Sequence, residues 1–299
     1  MRSSIILISN PAARRAALKK FEFASVFLRE RGFEAKILVT EKSGDATLLA
    51  RDAVGKSPYA IMAAGGDGTI NEVINGMAGS DVPLAILPLG TTNVLAKELG
   101  IPEDISRALE TAVTQKPKTV SLGRIDLDPD TGSGQSRYFC LMAGIGFDAQ
   151  SVHDINPALK KISGKAAYLW SGTQNLLHYA PNHLFYTIDG KEYGGVASIT
   201  CKAGRYGGNF RIAPDADIAE PALYTFIFQG NRRRDLLRYV SGVVTGTLRE
   251  DRDIVYLKSA SIDVLGTAHI QIDGDYLGTT PARITVEKDA LQIISRNMP

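Results

Sequence analysis

Short apolar runs and longer amphipathic stretches alternate over the first 120 residues. The run Ile5–Ile8 is apolar at every position, which is typical of a strand covered on both faces. Apolar side chains at helical spacing follow between residues 18 and 31. The same order then repeats, with strands predicted at 35–39, 59–64 and 84–87 and helices at 46–53, 69–77 and 93–99. This alternation predicts a doubly wound parallel α/β domain, an architecture that commonly binds nucleotides.

The pattern changes near residue 120, beyond which strand-like segments follow one another. These segments are 138–142, 184–188, 196–201, 223–228, 254–257, 261–264, 270–273, 283–286 and 291–294. Helical patterns interrupt them at 164–177 and 232–249. The second half is therefore predicted to be an antiparallel β-sandwich. We expect one domain over residues 1–122 and a second over 123–287, with residues 288–299 as a candidate for return to the first domain.

Length, charge and cysteine content narrow the class of protein. A chain of 299 residues is long for a single domain, which supports the division into two. The 34 Lys and Arg barely exceed the 32 Asp and Glu, and the net charge of +2 argues against a nucleic-acid partner. Cys140 and Cys201 lie in apolar segments and match neither a zinc site nor a disulfide framework. We expect both to be buried thiols in a reducing cytoplasm.

One uncharged segment is long enough to cross a bilayer. It runs from Ala166 to Ile188, but it contains two histidines, two asparagines, a glutamine and a proline. Each polar group would need a partner within the hydrocarbon, so a transmembrane helix is not expected. Any contact with a membrane is expected to be peripheral, and the segment can line a lipid entrance or simply pack in the core.

The strongest local signal is a glycine-rich loop between a predicted strand and a predicted helix. Its residues are Gly65, Gly66, Asp67, Gly68 and Thr69, with Asn71 and Glu72 in the helix that follows. Glycines let backbone amides approach an anion closely, and the helix N-terminus favours negative charge. Asp67 suits such a site when Mg²⁺ stands between it and the phosphates. The alternative is an ordinary glycine-rich turn with a capping Asp or Thr.

A second loop of the same kind follows the next strand along the chain. It runs from Leu87 through Gly90 and Thr91 to Asn93. Small polar residues also follow the first two strands, at Asn10 and Thr40, and a basic residue follows at Arg14. Because the carboxyl ends of parallel strands meet at one edge of a sheet, these loops are predicted to converge on one crevice.

As a set, these motifs resemble a known family. Residues 10–11 (NP), 65–73 (GGDGTINEV) and 88–93 (PLGTTN) are similar to the catalytic domain of diacylglycerol kinases, sphingosine and ceramide kinases, and related bacterial lipid kinases. The resemblance extends into the second half at 143–149, 161–168, 205–216 and 272–275, and so covers nearly the whole chain. The GGDGT motif alone is shared with NAD kinases and phosphofructokinases. The resemblance implies a nucleotide-binding first domain of that type and a lipid-binding second domain.

What the family implies for individual residues begins with ATP. The residues implied in nucleotide binding are Asn10, Pro11, Arg14, Thr40, Gly65, Gly66, Asp67, Gly68, Thr69, Asn71, Glu72 and Thr91. In the family, the acidic residue two positions after the Asp of an Asp-Gly-Glu motif is the general base, and Asp275 stands there in this chain. Judged without the family, Asp273-Gly274-Asp275 is better explained as a type I′ hairpin turn.

The resemblance also implies a structural Mg²⁺ ion in the second domain. Its ligands here would be the carboxylate of Glu220 and the backbone oxygens of Asp217 and Ala222. Two departures from the family pattern bear on metal binding. Pro221 replaces a glycine of the turn, and Ser121 stands where many members have an Asp near the catalytic metal.

The predicted function is therefore an ATP- and Mg²⁺-dependent lipid kinase of phospholipid metabolism. Diacylglycerol is the expected acceptor; ceramide, a sphingoid base and phosphatidylglycerol stay open. We expect a cytoplasmic, peripherally membrane-associated enzyme, with a homodimer left open. Arg232, Arg233 and Arg234 open a predicted helix, where anionic lipid would explain cations that oppose the helix dipole. The alternatives are a kinase of a soluble alcohol such as NAD and a non-catalytic nucleotide-binding regulator.

Overall fold

Secondary structure changes character near residue 120, as the sequence pattern predicts. The computed structural model describes residues 4–10, 14–131, 134–147, 149–150, 181–207 and 210–296. The chain forms two compact units, one of residues 1–121 and 288–299 and the other of residues 122–287. We refer to them as unit 1 and unit 2. The predicted fold class, a parallel α/β unit followed by an antiparallel β unit, is confirmed.

Unit 1 alternates strands and helices. Its strands are β1 (Ser4–Ser9), β2 (Glu34–Val39), β3 (Ala60–Gly65) and β4 (Leu84–Pro88). Its helices are α1 (Arg14–Glu30), α2 (Asp45–Val54), α3 (Asp67–Met77), α4 (Val94–Glu98) and α5 (Ile105–Thr114). Every residue of β3 and β4 is buried, as expected for strands covered by helices on both faces.

The sheet of unit 1 brings four strand ends to one edge. Its order is β2-β1-β3-β4, and all neighbouring pairs are parallel. Ser9, the last residue of β1, lies opposite Val39 on one side and Ala64 on the other. Gly65 lies opposite Pro88. The order reverses at β1, because β2 and β3 flank it, and such a switch point is where open α/β sheets bind ligands.

Unit 2 consists mainly of antiparallel strands. Two long strands, β5 (Pro117–Leu127) and β18 (Ala282–Ile294), contain residues of both units. The others are β6 (Ser136–Phe139), β7 (Met142–Ile145), β8 (Leu184–Ile188), β9 (Lys191–Gly195), β10 (Ala197–Cys201), β11 (Arg205–Tyr206), β12 (Phe210–Arg211), β13 (Leu223–Phe228), β14 (Ile254–Ser259), β15 (Ser261–Leu265), β16 (His269–Ile272) and β17 (Asp275–Thr279). One further helix, α6 (Arg233–Thr245), follows β13 in the described residues.

Two groups of strands share the core of unit 2. Six form one sheet in the order β14-β13-β10-β7-β16-β17. The other group pairs β15 with β18 on one side and with β8 on the other. Strand β8 alternates buried and exposed residues, the pattern of a strand with one covered face. Its Tyr186 packs with Ile262 of β15 and with Ile145 and Ile270 of the first sheet in one cluster.

Several sequence predictions of local structure need correction, and strands β5, β9, β11, β12 and β17 have no predicted counterpart. Residues 138–142 were predicted as one strand, but β6 ends at Phe139 and β7 begins at Met142. The predicted strands 283–286 and 291–294 are parts of the single strand β18. Helix α5 was not predicted, although its Asp104 N-cap accepts a hydrogen bond from the Arg107 N–H at 2.9 Å. The helical pattern predicted at 164–177 lies outside the described residues.

Within the described part of the chain, no helix is both long enough and apolar enough to span a bilayer. Most of the uncharged segment 166–188 lies outside the described residues; of that segment, only residues 181–188 are described.

Candidate active site

The strand-end edge of unit 1 begins with small polar residues. Thr40 is buried, and both its backbone N–H and its hydroxyl donate to the Ser9 carbonyl, at 2.9 and 3.3 Å. The hydroxyl of Ser9 is itself buried and has no hydrogen-bond partner among the described residues. Strand β1 therefore ends in a buried polar side chain at this edge.

The glycine-rich loop leads directly from β3 into α3. Gly66 caps the helix in an extended conformation with φ −90° and ψ −177°, and the Ile70 N–H donates to its carbonyl at 3.0 Å. The first amides of a helix have no acceptor within the helix. Asp67, Gly68 and Thr69 supply these amides, in the first turn of an eleven-residue helix. This turn presents N–H donors and the positive end of the helix dipole.

The two glycine loops touch each other. The Leu89 N–H donates to the Gly65 carbonyl at 2.9 Å. A Cβ atom placed on Gly90 would lie 2.5 Å from the Cα of Gly66, which no real side chain tolerates. The predicted convergence of the two loops is therefore confirmed within unit 1. Glycine is required at position 90 because the opposing backbone already fills the space of a side chain.

Asn93 fixes the shape of the second loop. It adopts a left-handed conformation with φ 50°, which asparagine tolerates better than most residues. Its side-chain amide accepts from the Gly90 N–H and donates to the Gly90 carbonyl, both at 3.0 Å. Asp67 connects the loops again, because its carboxylate accepts from the Leu95 N–H at 3.3 Å. Asn93 was not among the predicted site residues, although an asparagine next to a helix start is a signal for this turn chemistry.

Two residues predicted to contact nucleotide have partners within the fold. The carboxylate of Glu72 accepts from the Ser43 hydroxyl and from the Ala46 N–H, each at 3.2 Å. Glu72 thereby joins α3 to the first turn of α2. Asn71 is buried, and its side-chain oxygen accepts from the Asn75 amide at 3.1 Å. Both contacts stabilise the helix that carries the loop.

The remaining predicted site residues of unit 1 either lie near the same edge of the sheet or are not among the described residues. Asn10 directly follows β1, and Thr91 lies in the second loop; both are exposed. Arg14 begins α1, but its side chain is not described, and Pro11 lies outside the described residues. Ser121, at the position where many family members have an Asp, accepts a hydrogen bond from the Asp289 N–H at 3.5 Å.

In unit 2, Asp273 and Gly274 form a two-residue turn between β16 and β17. Both have positive φ, at 48° and 90°, as the predicted type I′ turn requires. Asp275 is the first residue of β17, lies opposite Ile272 and is partly exposed. The strand therefore holds the predicted general base at a defined position beside the turn.

Asp273 has a role that sequence reasoning missed. Its carboxylate accepts three backbone N–H bonds, from Cys140 at 3.0 Å and from Leu141 and Met142 at 2.9 Å each. Burial raises the pKa of the Asp273 carboxyl, and these three bonds oppose the rise. The contacts explain why the predicted strand 138–142 is interrupted: its middle bends around a carboxylate 133 residues further along the chain.

The segment expected to bind a structural metal surrounds a lysine instead. Lys202 is fully buried, and its ammonium donates to the carbonyls of Asp217, Ile218 and Glu220 at 2.9, 3.0 and 2.8 Å. Burial lowers the pKa of this ammonium to about 8, and the charges of Asp217 and Glu220 oppose the fall. Three carbonyl acceptors around one nitrogen match the three N–H donors of the protonated form. The only sequence signal was one Lys within the apolar segment 196–203.

The carboxylate of Glu220, expected as a metal ligand, also has partners. One oxygen accepts from the Lys258 ammonium and the other from the Tyr224 hydroxyl at 2.6 Å. These two bonds, the lysine first, hold the pKa of Glu220 below its usual range. The backbone N–H of Ala222, whose carbonyl oxygen is the third expected ligand, donates to the Glu220 carbonyl at 2.9 Å.

The donor set of residues 217–222 does not fit a divalent cation. A carbonyl expected to bind the ion already accepts from an ammonium, and the carboxylate already faces a second lysine. A Mg²⁺ ion would also lie beside a buried positive charge with little solvent to screen it. Among the described residues, no three His, Cys, Asp or Glu side chains are grouped closely enough to hold a metal.

Two known protein families match this chain, one over most of unit 1 and the other over most of unit 2. Residues 4–125 match the diacylglycerol kinase catalytic domain, and residues 142–295 match the YegS C-terminal NAD kinase beta sandwich-like domain. A diacylglycerol kinase of Bacillus subtilis (strain 168) is 30% identical over 284 residues, which is 92% of this chain and 90% of that protein.

Two solved structures share the fold. A protein of Bacillus anthracis str. Sterne that is assigned to the diacylglycerol kinases has a TM-score of 0.81 at 22% identity, covering 98% of this chain and 95% of its own. Yeast NADH kinase, solved with NADH, has a TM-score of 0.53 at 12% identity, covering 99% of this chain and 84% of its own. At these identities the similarity shows a common architecture.

Proposed function

This chain belongs to the diacylglycerol kinase family and is a phosphotransferase with an alcohol acceptor, and we propose that it transfers the γ-phosphate of ATP to the hydroxyl of a membrane lipid. The proposed acceptor is diacylglycerol, which gives phosphatidic acid. The observation that carries the proposal is the pair of touching glycine loops at the N-terminus of α3. A donor-rich backbone at a parallel-sheet switch point is suited to a chain of phosphates.

Unit 1 is the proposed site of ATP. The amides of the first α3 turn and the adjoining loop would bind the phosphates, with Gly66, Asp67 and Thr91 closest to them. Asn10 and Thr40 occupy the neighbouring strand ends, which suits contacts to the rest of the nucleotide. Mg²⁺ bound with ATP would neutralise phosphate charge, and Asp67 offers the type of oxygen ligand that this ion prefers.

Asp275 of unit 2 is the proposed general base. Its carboxylate would accept the proton of the lipid hydroxyl as that oxygen attacks the γ-phosphorus and the bond to ADP breaks. A base of this kind contributes about 10²–10⁴-fold in rate. The greater part of catalysis in phosphoryl transfer comes from positioning and charge stabilisation, and Asp273 serves positioning here by fixing the turn that precedes Asp275.

The first turn of α6 is the proposed contact with an anionic membrane surface. Arg232, Arg233 and Arg234 are all exposed, and Leu237 on the next turn is 55% exposed. Arg238 is not part of this surface, because it forms ion pairs with Asp251 and Asp253. Each arginine near an anionic bilayer contributes about 1 kcal/mol to binding.

A lipid-panel assay tests the proposed reaction. Purified protein, radiolabelled ATP and Mg²⁺ would be incubated with diacylglycerol, ceramide, sphingosine or phosphatidylglycerol in mixed micelles, and with NAD in a detergent-free arm. We expect label in phosphatidic acid. Label in NADP alone would overturn the lipid-kinase proposal in favour of a soluble acceptor. ATP binding without transfer to any acceptor would favour a regulatory protein.

Vesicle flotation tests the proposed membrane contact separately. Replacement of Arg232, Arg233 and Arg234 by alanine should weaken binding to phosphatidylserine vesicles by about tenfold or more at low salt. The matched control replaces Lys191, Arg249 and Arg252, three other exposed cations of unit 2. Equal losses in both triple variants would show attraction by net charge alone and would remove α6 from the proposal.

A further inference from the structure

We propose that the Lys202 ammonium replaces a structural metal ion in the loop 217–222, so that unit 2 holds this loop in place without Mg²⁺. The inference concerns this chain's own residues and stands independently of the acceptor and of the catalytic base. The proposal explains why the buried ammonium of Lys202 contacts the loop for which the family resemblance implies a divalent metal.

The geometry matches an ammonium group in number and distance. An ammonium has three N–H donors and no acceptor. Three carbonyls of one loop accept from it, those of Asp217, Ile218 and Glu220, and all three distances lie between 2.8 and 3.0 Å. These are ordinary lengths for N–H···O bonds, whereas Mg²⁺ binds its oxygens at about 2.0–2.1 Å. The spacing of the three carbonyl oxygens therefore fits an ammonium nitrogen and is too wide for Mg²⁺.

The negative charge on the outer side of the loop is also neutralised by a residue of this chain. Glu220, the carboxylate in the expected metal set, forms an ion pair with Lys258 of β14 and accepts from Tyr224 of β13. The side-chain oxygen of Asp217 accepts from the Ala219 N–H at 2.8 Å. Together these contacts give the loop two lysines, one inside it and one at its surface.

The same lysine connects the loop to the turn that holds Asp275. The backbone N–H of Lys202 donates to the Leu141 carbonyl at 2.8 Å, and the Leu141 N–H donates to the Asp273 carboxylate at 2.9 Å. Lys202 thus lies between the loop 217–220 and the bend 140–142, which in turn packs on the turn of Asp273.

Thermal unfolding of the nucleotide-free full-length chain tests the inference. A structural site filled at a hundred times its Kd would raise Tm by about 5–10 °C. We expect Tm in millimolar MgCl₂ and in EDTA to agree within about 1 °C, far below that rise. A Mg²⁺-dependent rise of that size, abolished by Glu220→Gln, would overturn the inference.

Two variants distinguish the contribution of the buried Lys202 to stability from that of the exposed Lys258. Lys202→Met keeps the length of the side chain but leaves three buried carbonyls without a donor, and should lower Tm by about 5 °C or more. Lys258→Met removes only an exposed ion pair with the same loop and should lower Tm by about 2 °C or less. A Lys202→Met protein as stable as the parent would overturn the inference. The comparison of MgCl₂ with EDTA uses the parent chain and Glu220→Gln, so it decides the question even if Lys202→Met does not fold.

Discussion

The glycine loops of unit 1, proposed to bind phosphate, and the loop 217–222 of unit 2 use their backbone in opposite ways. In unit 1, Gly66 and Gly90 bring two backbones into contact beside the amides at the start of α3, which we propose bind the phosphates of ATP. In unit 2, backbone carbonyls point inwards and receive the chain's own cation, Lys202. The proposed ligand of the first region is an anion that binds reversibly, whereas the second region surrounds a cation that belongs to the chain.

The difference is between a loop proposed to bind a ligand reversibly and a loop held by a cation of the chain itself. A site that binds and releases a substrate needs exposed donors, and glycine supplies them without a side chain that would fill the space. A loop that only supports other residues has no need to exchange its ion, and a lysine with three carbonyl acceptors cannot be removed by a chelator. Four variants test this difference between the two regions, and Asp275→Asn has the largest expected effect.

Asp275→Asn tests whether unit 2 supplies chemistry as well as support. Asparagine keeps the size of the side chain but cannot accept the hydroxyl proton, so kcat should fall by about 10²–10⁴-fold while the Kd for ATP stays within about twofold. Initial rates and nucleotide titration would measure the two quantities. Glu192→Gln, an exposed carboxylate of β9, is the control. Unchanged turnover in Asp275→Asn would remove this residue from the mechanism.

Asp273→Asn tests whether the hydrogen bonds of the Asp273 carboxylate stabilise the turn that precedes Asp275. The side-chain amide would place N–H groups against a backbone N–H, so the free energy of unfolding should fall by about 2–4 kcal/mol. Asp189→Asn is a matched control, because Asp189 and Gly190 form the same kind of positive-φ turn between β8 and β9 and Asp189 is exposed. Denaturant unfolding of both variants measures the difference. Equal and small losses would show that the bend at 140–142 does not depend on the carboxylate.

Gly90→Ala tests the contact between the two loops of unit 1. The new methyl group would lie 2.5 Å from the Gly66 Cα and 2.8 Å from the Asn93 side-chain oxygen. The loops must move apart, and the KM for ATP should rise by about tenfold or more, with little change in the KM for lipid. Gly55→Ala is the control, since its Cβ meets only the Asp52 carbonyl at 3.5 Å. An unchanged KM for ATP would separate this contact from nucleotide binding.

Glu72→Gln tests whether Glu72 supports the helix or contacts nucleotide. An amide retains one acceptor for Ser43 or Ala46 but loses the charge near the α2 N-terminus, so unfolding free energy should fall by about 1 kcal/mol. The KM for ATP should change by about twofold or less if the role is structural. A larger rise in KM with unchanged stability would show a direct nucleotide contact.

Local patterns in the sequence were sufficient for much of unit 1. The apolar strands are runs of consecutive residues, the loops at Gly65–Gly68 and Gly90 directly follow two of them, and parallel strands place their ends at one edge. The same reasoning explains the correct turn at Asp273-Gly274, which depends on two adjacent residues with positive φ.

Contacts between distant residues could not be predicted in this way. The carboxylate of Asp273 binds amides more than 130 positions away, and this bend breaks a segment whose composition favours one strand. Lys202 lies in a segment that is otherwise apolar, and its acceptors are backbone carbonyls, which carry no side-chain signal. Glu72 matched a family motif, but its partners Ser43 and Ala46 become visible only when α2 and α3 pack together.

Hydrogen–deuterium exchange of the full-length chain tests the central contrast most directly. Exchange would be compared for the protein alone, with Mg²⁺, and with Mg²⁺ and a non-hydrolysable ATP analogue. We predict that the analogue protects peptides covering residues 65–72 and 88–94, while Mg²⁺ alone leaves the peptide covering 213–224 unchanged. Protection of 213–224 by Mg²⁺ alone, or no protection of the glycine loops by the analogue, would contradict the account.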